Sequence, residues 1–232
     1  MPVRGSVRFV DGSTREMPLA DLSATLVLSA VPWRVIRSHR GQEHLPGLYW
    51  SATTGGHVVY ESPLELGRLL LADFDPDVVG IAAQPFLMCD GERRHVPDFL
   101  LFRADQSVLI VNVKPADRLD DARVAEALGW AGRVFAERGW EHEVWSGADA
   151  QLLANVRFLA GYRRQELLEP VTVVGAILQT NPVLTIAGAE AALSDVCVVE
   201  PRPVVLGLLW AGRLRAGLER PLTGETELEV LS

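Results

Sequence analysis

The chain has 232 residues, 48% of them hydrophobic, and its 22 basic and 30 acidic side chains give a formal net charge of −8. That is enough apolar material for a full core plus a second small domain, and no apolar run reaches the roughly 18 residues of a membrane span. Cys89 and Cys197 are far apart with no CxxC pair, and the start Met1-Pro2-Val3-Arg4-Gly5 lacks a hydrophobic leader, so zinc, a disulfide scaffold and export are not expected and a cytoplasmic protein is.

Residues 6–19 predict a hairpin around Asp11-Gly12, with Val7, Phe9 and Val10 before it and Met17 and Leu19 after. Residues 21–48 set Arg34, Arg37, His39, Arg40 and His44 among Trp33 and Val35, which reads either as a stretch that touches phosphates or as a solvated face beside a strand. Residues 1–48 are thus expected to be a β-rich segment packing on a core that spans 49–154. Ser62-Pro63-Leu64-Glu65 predicts a helix start, with Ser62 as N-cap, Pro63 at the first helical position and Glu65 three residues after the cap. Glu65 then has two readings: half of a capping box, or a carboxylate presented to a site in front of the sheet. Glu61, which precedes the cap, is the weaker candidate.

His95-Val96-Pro97-Asp98-Phe99-Leu100-Leu101-Phe102 reads as an apolar strand interrupted by one carboxylate, which needs a partner because strands disfavour Asp and its buried charge is costly. The turn Arg103 to Ser107 leads into Val108-Leu109-Ile110-Val111-Asn112-Val113-Lys114, so the two runs predict an antiparallel hairpin with Asp98 and Lys114 as cross-strand neighbours. Asn112 and Lys114, two apart, share a face. Arginine occurs 21 times and Lys114 is the only lysine. An ammonium is a compact point charge that can orient a water or stabilise an oxyanion, which a guanidinium does less well. The plain alternatives are a solvated strand end or a simple Asp98–Lys114 ion pair. A carboxylate, an amide oxygen and an ammonium at one sheet edge fit metal-assisted phosphodiester hydrolysis, with hard oxygen ligands suited to Mg²⁺ or Mn²⁺. His57 and His95 flank these motifs and read as hydrogen-bonded structural histidines more than as ligands.

After Pro115, residues 120–138 carry Val124, Ala127, Leu128, Ala131, Val134 and Phe135 at helical spacing, with Gly139 as the stop, and Glu141 to Trp145 predicts a strand. From residue 155 the pattern changes to short helices: Val156 to Gln165, Val171 to Gln179, Ile186 to Leu193, and a longer one from Val204 to Leu218 bearing Arg213 and Arg215. A turn and short strand pair over 220–230 would complete a winged-helix-like module on 155–232, whose arginines meet phosphate or whose Glu225, Glu227 and Glu229 form a protein-docking surface.

The order Thr54-Gly55, Tyr60-Glu61-Ser62, Leu64-Glu65-Leu66, Gln84-Pro85-Phe86, Pro97-Asp98-Phe99-Leu100 and Asn112-Val113-Lys114-Pro115 resembles the TnsA-like endonuclease subunit of heteromeric transposases, over roughly residues 45–165. The resemblance implies an α/β fold with a restriction-endonuclease-like core of the PD-(D/E)xK type, a mixed central sheet flanked by helices, and the small helical domain behind it. It implies Glu65, Asp98 and Lys114 as catalytic residues, Glu65, Asp98 and Asn112 as ligands of Mg²⁺, with Mn²⁺ able to substitute, and Glu61, Gln84 and His95 in support. Asn112 stands where many nucleases of this fold have Asp or Glu, which removes one negative ligand. The implied activity is hydrolysis of a phosphodiester at transposon ends in double-stranded DNA, with a TnsB-like transposase and a TnsC-like ATPase as partners. A stand-alone repair or junction-resolving nuclease of the same core, or an inactive DNA-binding or assembly protein, are the alternatives. Residues 49–150 carry 9 basic and 17 acidic side chains, against the basic footprint of a nucleic-acid enzyme. Weak binding by this chain alone, with delivery by a partner, would reconcile the two.

Overall fold

A computed structural model describes residues 2–34, 46–164, 184–194 and 200–231. The chain divides into two compact units, Met1–Asp73 with Asp77–Gly147, and Phe74–Pro76 with Ala148–Ser232.

In the first unit, β1 (Arg4–Arg8) and β2 (Thr14–Pro18) form the expected antiparallel hairpin. Gly12 takes a φ of +83° in its turn and Asp11 Oδ1 accepts from Ser13 N–H. α1 (Ala24–Leu28) starts at Ser23, whose Oγ accepts from Leu26 N–H. Arg37, His39, Arg40 and His44 lie outside the described residues. β3 (Gly47–Ser51) and β4 (Gly56–Tyr60) pair antiparallel, leaving His57 exposed. α2 (Pro63–Phe74) follows. The central sheet comprises β5 (Val78–Ala83), β8 (Phe99–Arg103), β9 (Val108–Val113) and β10 (Glu141–Trp145) in the order β10-β9-β8-β5. The β9–β10 pair is parallel and the others antiparallel, a mixed sheet. A second sheet, β2-β1-β6-β7, adds β6 (Leu87–Cys89) and β7 (Arg94–His95).

Strand β9 is buried at every position, which matches its unbroken apolar run. Its even residues Val108 and Ile110 join Leu100, Val7, Phe86 and Met88 in a core closed by α3 (Ala122–Glu137), through Trp130, Ala131, Val134 and Phe135. Burying side chains of this size stabilises by about 1.5–3 kcal/mol each, so this contact fixes where the ends of β8 and β9 stand. Asp121 caps α3, and Gly139 at φ +75° stops it.

The expected single strand over 95–102 is two strands. His95 ends β7 in one sheet, Phe99 begins β8 in the other, and Val96-Pro97-Asp98 crosses between them. Pro97 has no N–H to give a ladder, which is the local reason for the break.

In the second unit, α4 (Ala150–Leu159) is capped by Asp149, and Asn155 buries its amide against the carbonyls of Leu218 and Arg220 at 2.8 and 2.7 Å. α5 (Ile186–Leu193) has the bounds expected, and the helix expected at 171–179 lies outside the described residues; α4 starts six residues before the expected Val156 and gives way after Leu159 to a 3-10 turn over Ala160–Tyr162, short of the expected Gln165. α6 (Pro201–Trp210) ends eight residues before the expected Leu218. Gly212, at φ +65°, turns the chain into β12 (Leu214–Arg215), so Arg215 lies on a strand and Arg213 leads into it, neither on the long helix. β12 and β11 (Leu184–Thr185) flank β13 (Glu227–Val230) in an antiparallel three-stranded sheet. No helix among the described residues is long and apolar enough to cross a membrane.

Candidate active site

The β8–β9 register pairs Phe99 with Val111, so one step further sets Asp98 opposite Asn112, with Lys114 next on the same face. Asp98 Oδ2 accepts from Val113 N–H at 2.7 Å and from Asn112 Nδ2 at 3.4 Å, and stands 3.9 Å from Lys114 Nζ. Oδ1 takes none of these contacts. The Asp98 side chain is 11% exposed and that of Lys114 35%, so the pair faces solvent from the ammonium side. The Lys114 N–H donates to Trp145 O at 2.9 Å, which ties the strand end to β10.

Glu65 reaches the same place from the first turn of α2. Its N–H donates to Ser62 Oγ at 3.1 Å, its Oε1 takes Ser62 Oγ–H at 3.3 Å, and its Oε2 takes Glu61 N–H at 2.7 Å. Ser62 is thus the cap, as expected, while the Glu65 carboxylate reaches back to the N–H of Glu61, one residue before the cap, and not to that of Ser62, and its two oxygens, with about four acceptor positions, keep capacity for a further partner. Burial pushes its pKa up to about 7, against the Glu61 N–H; the negative charges of Asp98 and Glu61 add to the rise. Glu61 itself pairs with Arg34 at 3.0 Å. Arg68, one turn after Glu65, holds Glu143 of β10 through Nε at 3.0 Å and Nη2 at 2.7 Å, which anchors this end of α2 to the sheet.

Gln84 supports the site from beneath. It is buried with φ +45°, its N–H donates to Asp98 O at 2.8 Å, and its own carbonyl and Oε1 accept from Trp33 and Arg34 N–H. Holding a non-glycine residue in this region costs about 1–3 kcal/mol, a cost that these hydrogen bonds offset. Asn112 is 1% exposed, and its Oδ1 lies 3.1 Å from Nε2 of both His95 and His142. Burial lowers both ring pKa values, so the imidazoles are neutral near pH 7. His142 was not singled out from sequence, and the register of β10 on β9 brings it here; Arg34 was named only as one of a stretch that touches phosphates or forms a solvated face.

Arg34, Glu61, Glu65, His95, Asp98 and Lys114 line one open cleft of about 1030 Å³, while Gln84, Asn112 and His142 are not part of its lining. Five cations line it (Arg34, Arg94, Lys114, Arg118 and Arg123) against four carboxyl groups (Glu61, Glu65, Asp98 and Asp121). Among the described residues no three His, Cys, Asp or Glu side chains are grouped as a metal centre. Two carboxyl groups nonetheless share the cleft, the charge of Asp98 adding to the raised pKa of Glu65, and such oxygen donors are of the type that hard divalent cations take.

The cleft thus joins a carboxylate that crosses between two sheets, a lysine two residues beyond the facing amide, and a glutamate from a preceding helix. Residues 75–147 match the family described as TnsA-like endonuclease N terminal. That stretch carries Asp98, Asn112, Lys114 and His142; Glu65 lies before it. No curated protein matches the chain.

Proposed function

We propose that the chain is a metal-dependent DNA endonuclease subunit of a heteromeric transposase, hydrolysing one phosphodiester at transposon ends. The observation that supports this most is the convergence of Glu65, Asp98 and the only lysine in one cleft whose lining is locally cationic. Asp98 and Glu65 would hold Mg²⁺ or Mn²⁺, which when bound neutralises charge developing on the phosphoryl group. Lys114 orients the attacking water and steadies its negative charge, the task for which a point cation is suited. Arg34, Arg94, Arg118 and Arg123 border the cleft where flanking phosphates would run. α5, α6 and the strand pair β12–β13 are read as a winged-helix-like module that docks to DNA or to a partner.

By family resemblance the partners are a TnsB-like transposase and a TnsC-like ATPase. Partner dependence is the test: nicking of DNA that carries transposon ends is expected only with the transposase present. Nicking of structured DNA by this chain alone would instead favour a stand-alone repair nuclease.

A further inference from the structure

The amide of Asn112 sits among three polar groups, and elementary chemistry fixes which way round it lies. Asp98 Oδ2, 3.4 Å from Nδ2, only accepts, so the amide atom facing it must be the NH₂. The amide oxygen then faces both rings, and because it too only accepts, His95 and His142 must each present Nε2–H to it. Two donors at 3.1 Å occupy the two lone pairs of that oxygen.

The ring of His142 is itself wedged. His142 packs on Phe135 with ring centroids 5.3 Å apart. Gly132 of α3 comes so close that a Cβ there would lie 2.9 Å from its Nδ1. The glycine leaves room for the imidazole, and the register of β10 on β9 sets His142 beside Ile110, on the face that Asn112 shares.

We infer that Asn112 is a positioning residue and not a metal ligand, and that His142 together with His95 aims it so that its NH₂ and the Val113 N–H hold Asp98 in place. The inference rests on the nuclease reading above for what Asp98 is held to do. Partners one shell out from a ligand fix its orientation, and their loss weakens metal binding by roughly 10–100-fold.

Three measurements test it on the full chain. Long-range ¹H–¹⁵N spectra of the metal-free wild type, with ring signals assigned through the backbone, are expected to show the Nε2–H tautomer for both histidines; an Nδ1–H tautomer at either overturns the inference. This needs no variant to fold. In Mn²⁺ titrations followed by electron paramagnetic resonance, His142→Leu is expected to bind about tenfold more weakly, and His142→Gln, which keeps an N–H, to stay within about threefold of wild type. With the transposase present, nicking of end-bearing DNA by His142→Leu should recover at saturating Mn²⁺, moving the metal requirement and not kcat. Wild-type Mn²⁺ affinity in His142→Leu overturns the inference alone. A wild type that binds no Mn²⁺ while both rings show Nε2–H overturns the nuclease reading, and with it the purpose assigned to the histidines.

Discussion

Asp98 gathers a backbone N–H, an amide and an ammonium on one oxygen, while the rings behind the amide stay neutral. That neutrality has a pH signature. Burial lowers the pKa of His142 from 6.5, and unfolding restores it. Between the lowered value and 6.5 the unfolded chain binds more protons, so stability falls as pH drops through this window. Glu65, raised from 4.5 to about 7, acts in the opposite sense: the folded chain holds its proton over that range and gains stability as pH falls. Comparing urea midpoints of wild type and His142→Gln isolates the ring. The advantage of wild type should be constant above pH 7 and shrink from 6.5 downward; an advantage that grows with acid would contradict the buried neutral ring. Asp98 and Lys114 were legible in the sequence because each breaks a local rule, a carboxylate in an apolar run and the only lysine among arginines. His142 was not: in Glu141-His142-Glu143 it looks like any residue of a half-exposed strand. Only the parallel register on β9 brings it under Asn112.

Elements declared by their ends were read well. The Ser62 cap starts α2 and the Gly139 stop ends α3 as expected, though α3 begins after an Asp121 cap the sequence reading did not name, and the predicted hairpin of β8 and β9 stands with its turn where expected. The crossing at 96–98 and the early end of α6 were not read, because both depend on which sheet or turn the chain meets next. A further tie was also invisible to pattern. Asp73 at the end of α2 is 5% exposed and accepts from Tyr49 Oη at 2.7 Å, Ser51 Oγ at 2.5 Å, and the N–H groups of Ala52 and Thr53 at 3.0 and 2.8 Å. One carboxylate thereby fastens the β3–β4 turn to the helix that carries Glu65. Asp73→Ala strands four donors in the interior and should cost about 3 kcal/mol or more in denaturant unfolding. A loss below about 1 kcal/mol would mean that water replaces the carboxylate there.

The whole molecule carries −8, yet its cleft is lined by five cations and four carboxyl groups. Charge counted along the chain obscured this, since cations from the N-terminal segment, β7, the β9 end and the start of α3 meet only on folding. If all five neutralise phosphates, the salt dependence of DNA binding by the isolated chain has a log–log slope of about −4.5 at most, measured by fluorescence anisotropy. A steeper slope would place phosphate contacts outside the cleft. The most direct test of the site is Mn²⁺-dependent nicking of end-bearing DNA in the presence of the transposase, for wild type, Asp98→Ala and Lys114→Ala. Cleavage by wild type and a loss of at least about 10²-fold in both variants is expected. Nicking that survives either substitution would show that the chemistry lies elsewhere in the chain or in its partner.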